Sequence, residues 1–220
     1  MALSKLRALD GPRLAPASGR ATALVVLLHG YGANGDDLIA LAHGWRSRLP
    51  DAAFVAPNAP EALPGMLGAL QWFALTLQDP SEYGRGVVAA APGLDRFIAQ
   101  ELARLGLAPE RLALVGFSQG SMLALHVALR RAVAPAAVVA YSGLLAGPER
   151  LGEIKTRPPV LLVHGEADDL IPVEALHLAR EQLAAAGLAV EWHVRPGLAH
   201  GIDAAGERLG GGFIAQAFKA

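Results

Sequence analysis

The chain predicts an α/β fold, a mostly parallel central sheet flanked by helices on both faces, and three observations predict it. Short apolar runs alternate with longer stretches in which apolar residues recur every three or four positions, the order expected of βαβ units. The runs are continuously apolar rather than alternating, as strands buried on both faces must be. Each run is followed by a glycine, proline or asparagine that can turn the chain.

The strand candidates are 23–28, 53–56, 112–115, 137–141, 160–163 and 190–194, all short and rich in Val, Leu or Ala. Helical spacing covers 87–105, 119–131, 173–186 and 203–218, and Pro172 and Gly187 supply start and stop signals for the third of these. No repeat or low-complexity linker divides the chain, so 1–220 is read as a single domain. Its irregular part is 57–84, which carries Trp72, Phe73 and Tyr83 without periodicity and is read as a loop or lid over a binding site.

Composition removes several functional classes. Lys and Arg total 19 against 20 Asp and Glu, and neither sign gathers into a block, so a nucleic-acid partner is not expected. The 53% hydrophobic content is spread along the chain in runs well short of the ~18 residues of a membrane span. The first twenty residues lack the apolar centre of a signal peptide, and a cytoplasmic location without membrane insertion is expected. With no cysteine there is no disulfide, thiolate zinc site or cysteine nucleophile. His43, Asp36 and Asp37 are close in sequence but lack the spacing of a metal-ligand set, so no metal is expected.

The chemistry-bearing stretch is LVGFSQGSMLAL. Gly116-Phe117-Ser118-Gln119-Gly120 matches GxSxG between a strand and a helix, where a sharp turn lifts a serine hydroxyl above the sheet edge. Side chains two before and two after the serine would collide with neighbouring backbone, hence the glycines. A plain strand-to-helix turn with a capping serine is the competing reading. A serine nucleophile needs a base oriented by an acid, in the chain order serine, acid, histidine. His29 and His43 precede Ser118, His126 lies in the following helix, and His177 and His193 fall within a helix and a strand. His200, in RPGLAH after the last strand, is the base candidate. The acid comes from HGEADDLIP, where Asp168 is favoured but spacing does not separate it from Asp169.

An oxyanion hole needs two backbone donors: the Gln119 N–H, and one from the loop after an earlier strand, for which HGYG offers Tyr31. His29 is read as a buried strut that orients this loop. The Gln119 side chain is expected to matter less than its backbone, so Gln119→Ala should be milder than Ser118→Ala. Leu63, Met66, Leu67, Trp72 and Phe73 are apolar enough to line a slot for an acyl chain, or else to pack as core beneath a long loop.

In this order and spacing, HGYGANGDDL, PNAP, GFSQG, HGEADDLIP and GLAHG resemble the phospholipase/carboxylesterase family of α/β-hydrolases, which includes the acyl-protein thioesterases. The resemblance implies Ser118 as nucleophile, Asp168 rather than Asp169 as acid, His200 as base, and the Tyr31 and Gln119 amides as oxyanion donors. It implies a serine hydrolase that cleaves acyl esters through an acyl-enzyme, with no cofactor, on a small-molecule ester, lysophospholipid or acyl thioester. A homodimer is among the assemblies it allows. Ala74 stands where relatives commonly carry an aspartate after the aromatic pair, so the acyl groove is expected to differ. The competing functional readings are an inactive binding protein on the same scaffold, and a peptidase or acyltransferase using the same triad.

Overall fold

Leu24, Val25, Val26, Leu27 and Leu28 are all inaccessible to solvent. Adjacent strand residues point to opposite faces, so this requires cover on both sides of the sheet. The computed structural model describes residues 8–76 and 78–219; the first seven residues of the N-terminal segment read above lie outside them. In chain order the elements are β1 (Arg13–Leu14), β2 (Ala23–Leu28), α1 (Gly35–Trp45), β3 (Ala52–Val55), β4 (Glu61–Ala62), β5 (Leu70–Gln71), α2 (Ser81–Leu105), β6 (Leu112–Phe117), α3 (Gln119–Arg130), β7 (Ala137–Tyr141), β8 (Val160–Gly165), α4 (Glu174–Ala185), β9 (Val190–Arg195) and α5 (Ala204–Ala217).

The main sheet has the order β1-β3-β2-β6-β7-β8-β9 and is parallel except for β1, which runs antiparallel at one edge. Leu24, Val26 and Leu28 share a core with residues of α2, α3 and α4, and Val25 and Leu27 share another with α1 and α5. Tyr141 Oη donates to the Gly206 carbonyl at 3.0 Å and Trp45 Nε1 to that of Glu207 at 2.8 Å, fixing the start of α5 on the second face.

Strand order also locates a crevice. The chain leaves β2 toward β3 on one side and leaves β6 toward β7 on the other. The loops after β2 and β6 therefore part at their carboxyl ends, the topological switch point where open parallel sheets bind ligands.

All six expected strands and four expected helices are present, within one or two residues except at the start of α2. Four features were not anticipated. The edge strand β1 is one. Helix α1 occupies a stretch to which no element was assigned, and its signal is a capping box: Asn34 Oδ1 accepts the Asp36 N–H, and Asp37 Oδ2 accepts the Asn34 N–H, each at 2.9 Å. Helix α2 starts at Ser81 rather than 87, inside 57–84. Gly84 and Gly86 look like loop residues in sequence, but Gly86 is where α2 meets the Phe73 ring, which a Cβ would strike. The same segment holds the hairpin β4–β5.

One buried group makes stability depend on pH. His126, in α3, has its Nδ1 buried without a partner among the described residues. Burial, with the charges of Arg130 and Arg150, pushes its pKa from 6.5 down to about 4. The unfolded chain therefore takes up the proton first as pH falls. The stability supplied by neutral His126 is complete above pH 6.5 and is lost as pH drops toward 4. Urea unfolding should show the wild type losing about 2 kcal/mol between about pH 7 and pH 5 that His126→Leu does not lose. Equal losses in the two proteins would refute this.

Candidate active site

Ser118 joins β6 to α3 with φ 53° and ψ −119°. This conformation costs a non-glycine residue roughly 1–3 kcal/mol, and its surroundings hold it there. The Ser118 N–H donates to the Tyr141 carbonyl at 2.9 Å, and its own carbonyl accepts the Ser121 N–H at 3.0 Å and the Ser121 hydroxyl at 2.7 Å. A Cβ on Gly120 would run into the Leu28 and His29 carbonyls, and one on Gly116 into the Gly120 carbonyl. The two glycines let β6, α3 and the loop after β2 meet at one point. The Ser118 hydroxyl does not cap α3 and bonds to no other side chain among the described residues.

The loop after β8 carries Asp168, buried, and Asp169, exposed. Asp168 Oδ1 accepts the Leu170 and Ile171 N–H groups at 3.0 and 2.9 Å, and its Oδ2 lies 2.7 Å from His200 Nδ1. Burial alone would raise the carboxyl's pKa. The Ile171 amide, the His200 hydrogen bond and charge, and the Leu170 amide outweigh it, so the pKa is lowered and the group is a carboxylate at neutral pH. Because an ionised carboxylate only accepts, His200 Nδ1 is the donor and Nε2 is left facing away from Asp168. The His200 ring packs against the Phe117 ring, 4.9 Å between centroids, which ties it to the residue before Ser118.

Two further side chains support this pair, and neither carries a local sequence signal. His164 Nε2 donates to the Ile171 carbonyl at 2.8 Å and lies 3.1 Å from Asp168 Oδ2, bracing the acid from beneath. Ser142, just after β7, has φ 47° and donates from Oγ to the Gly201 carbonyl at 3.3 Å, beside His200.

The loop after β2 is fixed by His29. Its Nε2 accepts the Ala59 N–H at 3.0 Å, so Nδ1 carries the proton and donates to the Gly30 carbonyl at 2.8 Å. Burial lowers its pKa, against the opposing Gly30 hydrogen bond and Asp37 charge, which keeps the ring neutral in this strut. Beyond it, Gly32 N–H bonds to Leu70 O and Ala33 N–H to Gly30 O, while Ser121 and Met122 N–H bond to Ser118 O. The N–H groups of Tyr31 and Gln119 have no acceptor among the described residues.

The Gln119 side chain has a place the sequence did not reveal. It is 1% exposed. Its Oε1 accepts the Trp72 N–H and its Nε2 donates to the Phe73 carbonyl, both at 2.8 Å. Trp72 Nε1 in turn donates to the His29 carbonyl at 2.9 Å. Trp72 and Phe73 are thus buried in the core on the α2–α3 side, the second of the two roles open to them. The other residues read for the acyl slot do not join them on one surface. Leu63 is buried, whereas Met66 and Leu67 project into solvent at the turn of the β4–β5 hairpin. Ala74 is exposed just past the clamp. Exposed Tyr31, Met66, Leu67 and Leu170 give the sheet edge an apolar rim. No group of three or more His, Asp or Glu side chains is arranged to hold a metal ion among the described residues, and no helix there is long and apolar enough to cross a membrane.

Comparison with known proteins matches residues 9–207 to the phospholipase/carboxylesterase family. Acyl-protein thioesterase 1 of Saccharomyces cerevisiae is 31% identical over 179 residues, covering 75% of this chain and 78% of that protein. Acyl-protein thioesterase 1 of Gibberella zeae is 27% identical over 210 residues, covering 86% and 88%. Among solved structures, that of esterase PE8 superposes with a TM-score of 0.92 at 42% identity, over 95% of this chain and 99% of the other. The chain therefore belongs to the phospholipase/carboxylesterase family of α/β-hydrolases and is a hydrolase acting on ester bonds.

Proposed function

We propose that this protein is a serine carboxylesterase of a single α/β-hydrolase domain, with Ser118, Asp168 and His200 as its catalytic triad and 57–84 as its substrate-facing loop. The observation that carries the reading is the meeting of three groups at one sheet edge. They are a serine on a positive-φ turn, an Asp168–His200 pair at 2.7 Å whose Phe117 contact adjoins that serine, and, among the described residues, a Ser118 hydroxyl without a side-chain partner and two amides without acceptors.

His200 Nε2 takes the Ser118 proton as Oγ attacks the acyl carbon. The carbonyl electron pair moves onto oxygen, where the Tyr31 and Gln119 N–H groups receive it, each contributing on the order of 3 kcal/mol. Asp168, kept ionised, holds the imidazolium. His200 then returns the proton to the departing alkoxide or thiolate, and an acyl-serine remains. Water, deprotonated by the same Nε2, attacks that ester, and the acid leaves as Ser118 regains its proton. The acyl chain lies against the rim at Tyr31, Met66 and Leu67, which suits short to medium chains of small esters or acyl thioesters. The relatives named acyl-protein thioesterase support including thioesters.

Ser118→Ala is expected to lower kcat on a p-nitrophenyl ester by up to about a million-fold and to abolish labelling by a fluorophosphonate. An alanine variant that keeps most of its turnover would rule out Ser118 as nucleophile.

Gln119→Ala separates backbone from side chain. It keeps the residue's N–H, so it should retain far more turnover of an acetyl ester than Ser118→Ala does. It strands the Trp72 N–H and Phe73 carbonyl, at roughly 1–3 kcal/mol each, so its melting temperature should fall. Its rates across p-nitrophenyl esters of increasing chain length should flatten. A chain-length profile that superimposes on the wild type would refute a role for the clamp.

A further inference from the structure

A cavity of ≈ 370 Å³ opens beside Ser118 on the face of the sheet away from the Trp72–Phe73 segment. Its place next to the nucleophile follows from Gly30, which borders it: a Cβ there would lie 3.3 Å from Ser118 Cβ and 3.1 Å from Phe117 Cδ1. Its apolar walls are Leu38 and Leu41 of α1, with Phe117 and Ile202. The volume lies in the range of small-molecule sites, about 300–1,000 Å³. Nothing in the triad chemistry uses it.

We propose that this cavity receives the alcohol or thiol half of the substrate and favours leaving groups that carry a cation. The inference rests on Ser118 and His200 acting as described above. The departing oxygen or sulfur takes its proton from His200 Nε2, so it must come within about 3 Å of that atom. Phe117, whose ring packs tilted against that of His200, and Ile202, two residues beyond His200, line the cavity. The leaving half is therefore released at the cavity mouth, while the acyl half extends toward the hairpin rim.

Charge then selects among leaving groups. Asp37 and Glu207 border the cavity, and no Lys or Arg does. Asp37 spends Oδ2 on the Asn34 N–H, and its Oδ1 has no hydrogen-bond partner among the described residues. The Glu207 carboxylate, lying against Gly44, accepts no hydrogen bond and joins no ion pair among the described residues. His29, also on the lining, is held neutral. An ammonium on an apolar stem meets apolar walls and two carboxylates; an alcohol bearing a phosphate meets two like charges.

The test compares two esters of one acid that differ only in leaving-group charge: butyrylcholine and its neutral isostere, 3,3-dimethylbutyl butyrate. The ratio of their kcat/KM values in one preparation is independent of the fraction of enzyme that is folded. The wild type should favour the cationic ester by about threefold or more, the scale of two partly exposed charge contacts. In Asp37→Asn/Glu207→Gln the ratio should fall toward one. A second variant, Leu41→Trp, fills the cavity and should depress both esters relative to methyl butyrate. A wild-type ratio at or below one, a ratio unchanged in the double variant, or bulky esters unaffected by Leu41→Trp would overturn the proposal. Turnover of methyl butyrate that disappears in Ser118→Ala tests the underlying reading separately, since that ester places no group in the cavity.

Discussion

The backbone at Ser118 is the constraint on which the rest of the site depends. A serine at φ 53° is unfavourable in isolation and persists only where its neighbours leave it no alternative. Here the Tyr141 carbonyl holds its N–H, Ser121 holds its carbonyl twice, and α3 is pressed against the Leu28 and His29 carbonyls at Gly120. The stability of a large parallel core maintains this one strained peptide. The return is geometric: the hydroxyl does not cap α3, and the Gln119 N–H has no acceptor among the described residues. A relaxed turn would let the serine cap the helix, its hydroxyl turned back to the N–H of the second or third helical residue instead of standing free.

The same point of close approach makes one unit of loops that are far apart in sequence. His29 fixes the Tyr31 loop, accepts the Ala59 N–H and, through its carbonyl, holds the Trp72 indole. Gln119 holds the Trp72 and Phe73 peptides from the other side. The ends of the 59–73 stretch are therefore pinned to the loop after β2 and to the turn at Ser118, and α2 closes on Phe73 through Gly86. Motion of a swinging lid would have to break buried hydrogen bonds at both anchors. The hairpin turn around Met66 and Leu67 is exposed and lies outside both anchors. If this segment faces substrate as proposed, it does so with an exposed tip on a fixed base.

What could be read from the sequence follows from how local each signal was. Ser118, Asp168 and His200 each come just after a strand, and strand ends are marked by apolar runs and glycine, so topology alone brings them to one edge. Asp168 and Asp169 share a loop, and only burial separates them: one faces His200 and the other faces water. Helix α1 had a legible capping box at Asn34 and Asp37, hidden by the glycines around it. The start of α2 was hidden for the same reason, since glycine that permits helix packing looks like glycine that breaks a helix. Trp72 and Phe73 carry no periodicity that distinguishes core from groove. The Gln119 clamp spans 46 and 47 positions, and His164 and Ser142 act through partners with no fixed spacing, so sequence held no signal for any of them.

The two faces of the sheet also divide the surroundings of the nucleophile. Helices α2 and α3 bury Trp72 and Phe73, so what reaches the site from that side is the hairpin, apolar at its tip with Met66 and Leu67 and carrying Glu61 at its base. Helices α1 and α5 begin on the other side, and helix N-termini favour acidic residues in their first turns. Asp37 and Glu207 occupy those first turns. The carboxylates of the cavity are thus explained by helix electrostatics before any substrate is considered, and Asp37 does cap α1. Glu207 is the informative one, because no backbone N–H among the described residues engages its side chain. Its charge interacts with the helix start without saturating its oxygens, and they border space next to Phe117 and Ile202. A residue whose helix role leaves its acceptors open, at the mouth of a cavity beside the nucleophile, is available to a ligand in a way that Asp203, engaged by Gly206 and Arg195, is not.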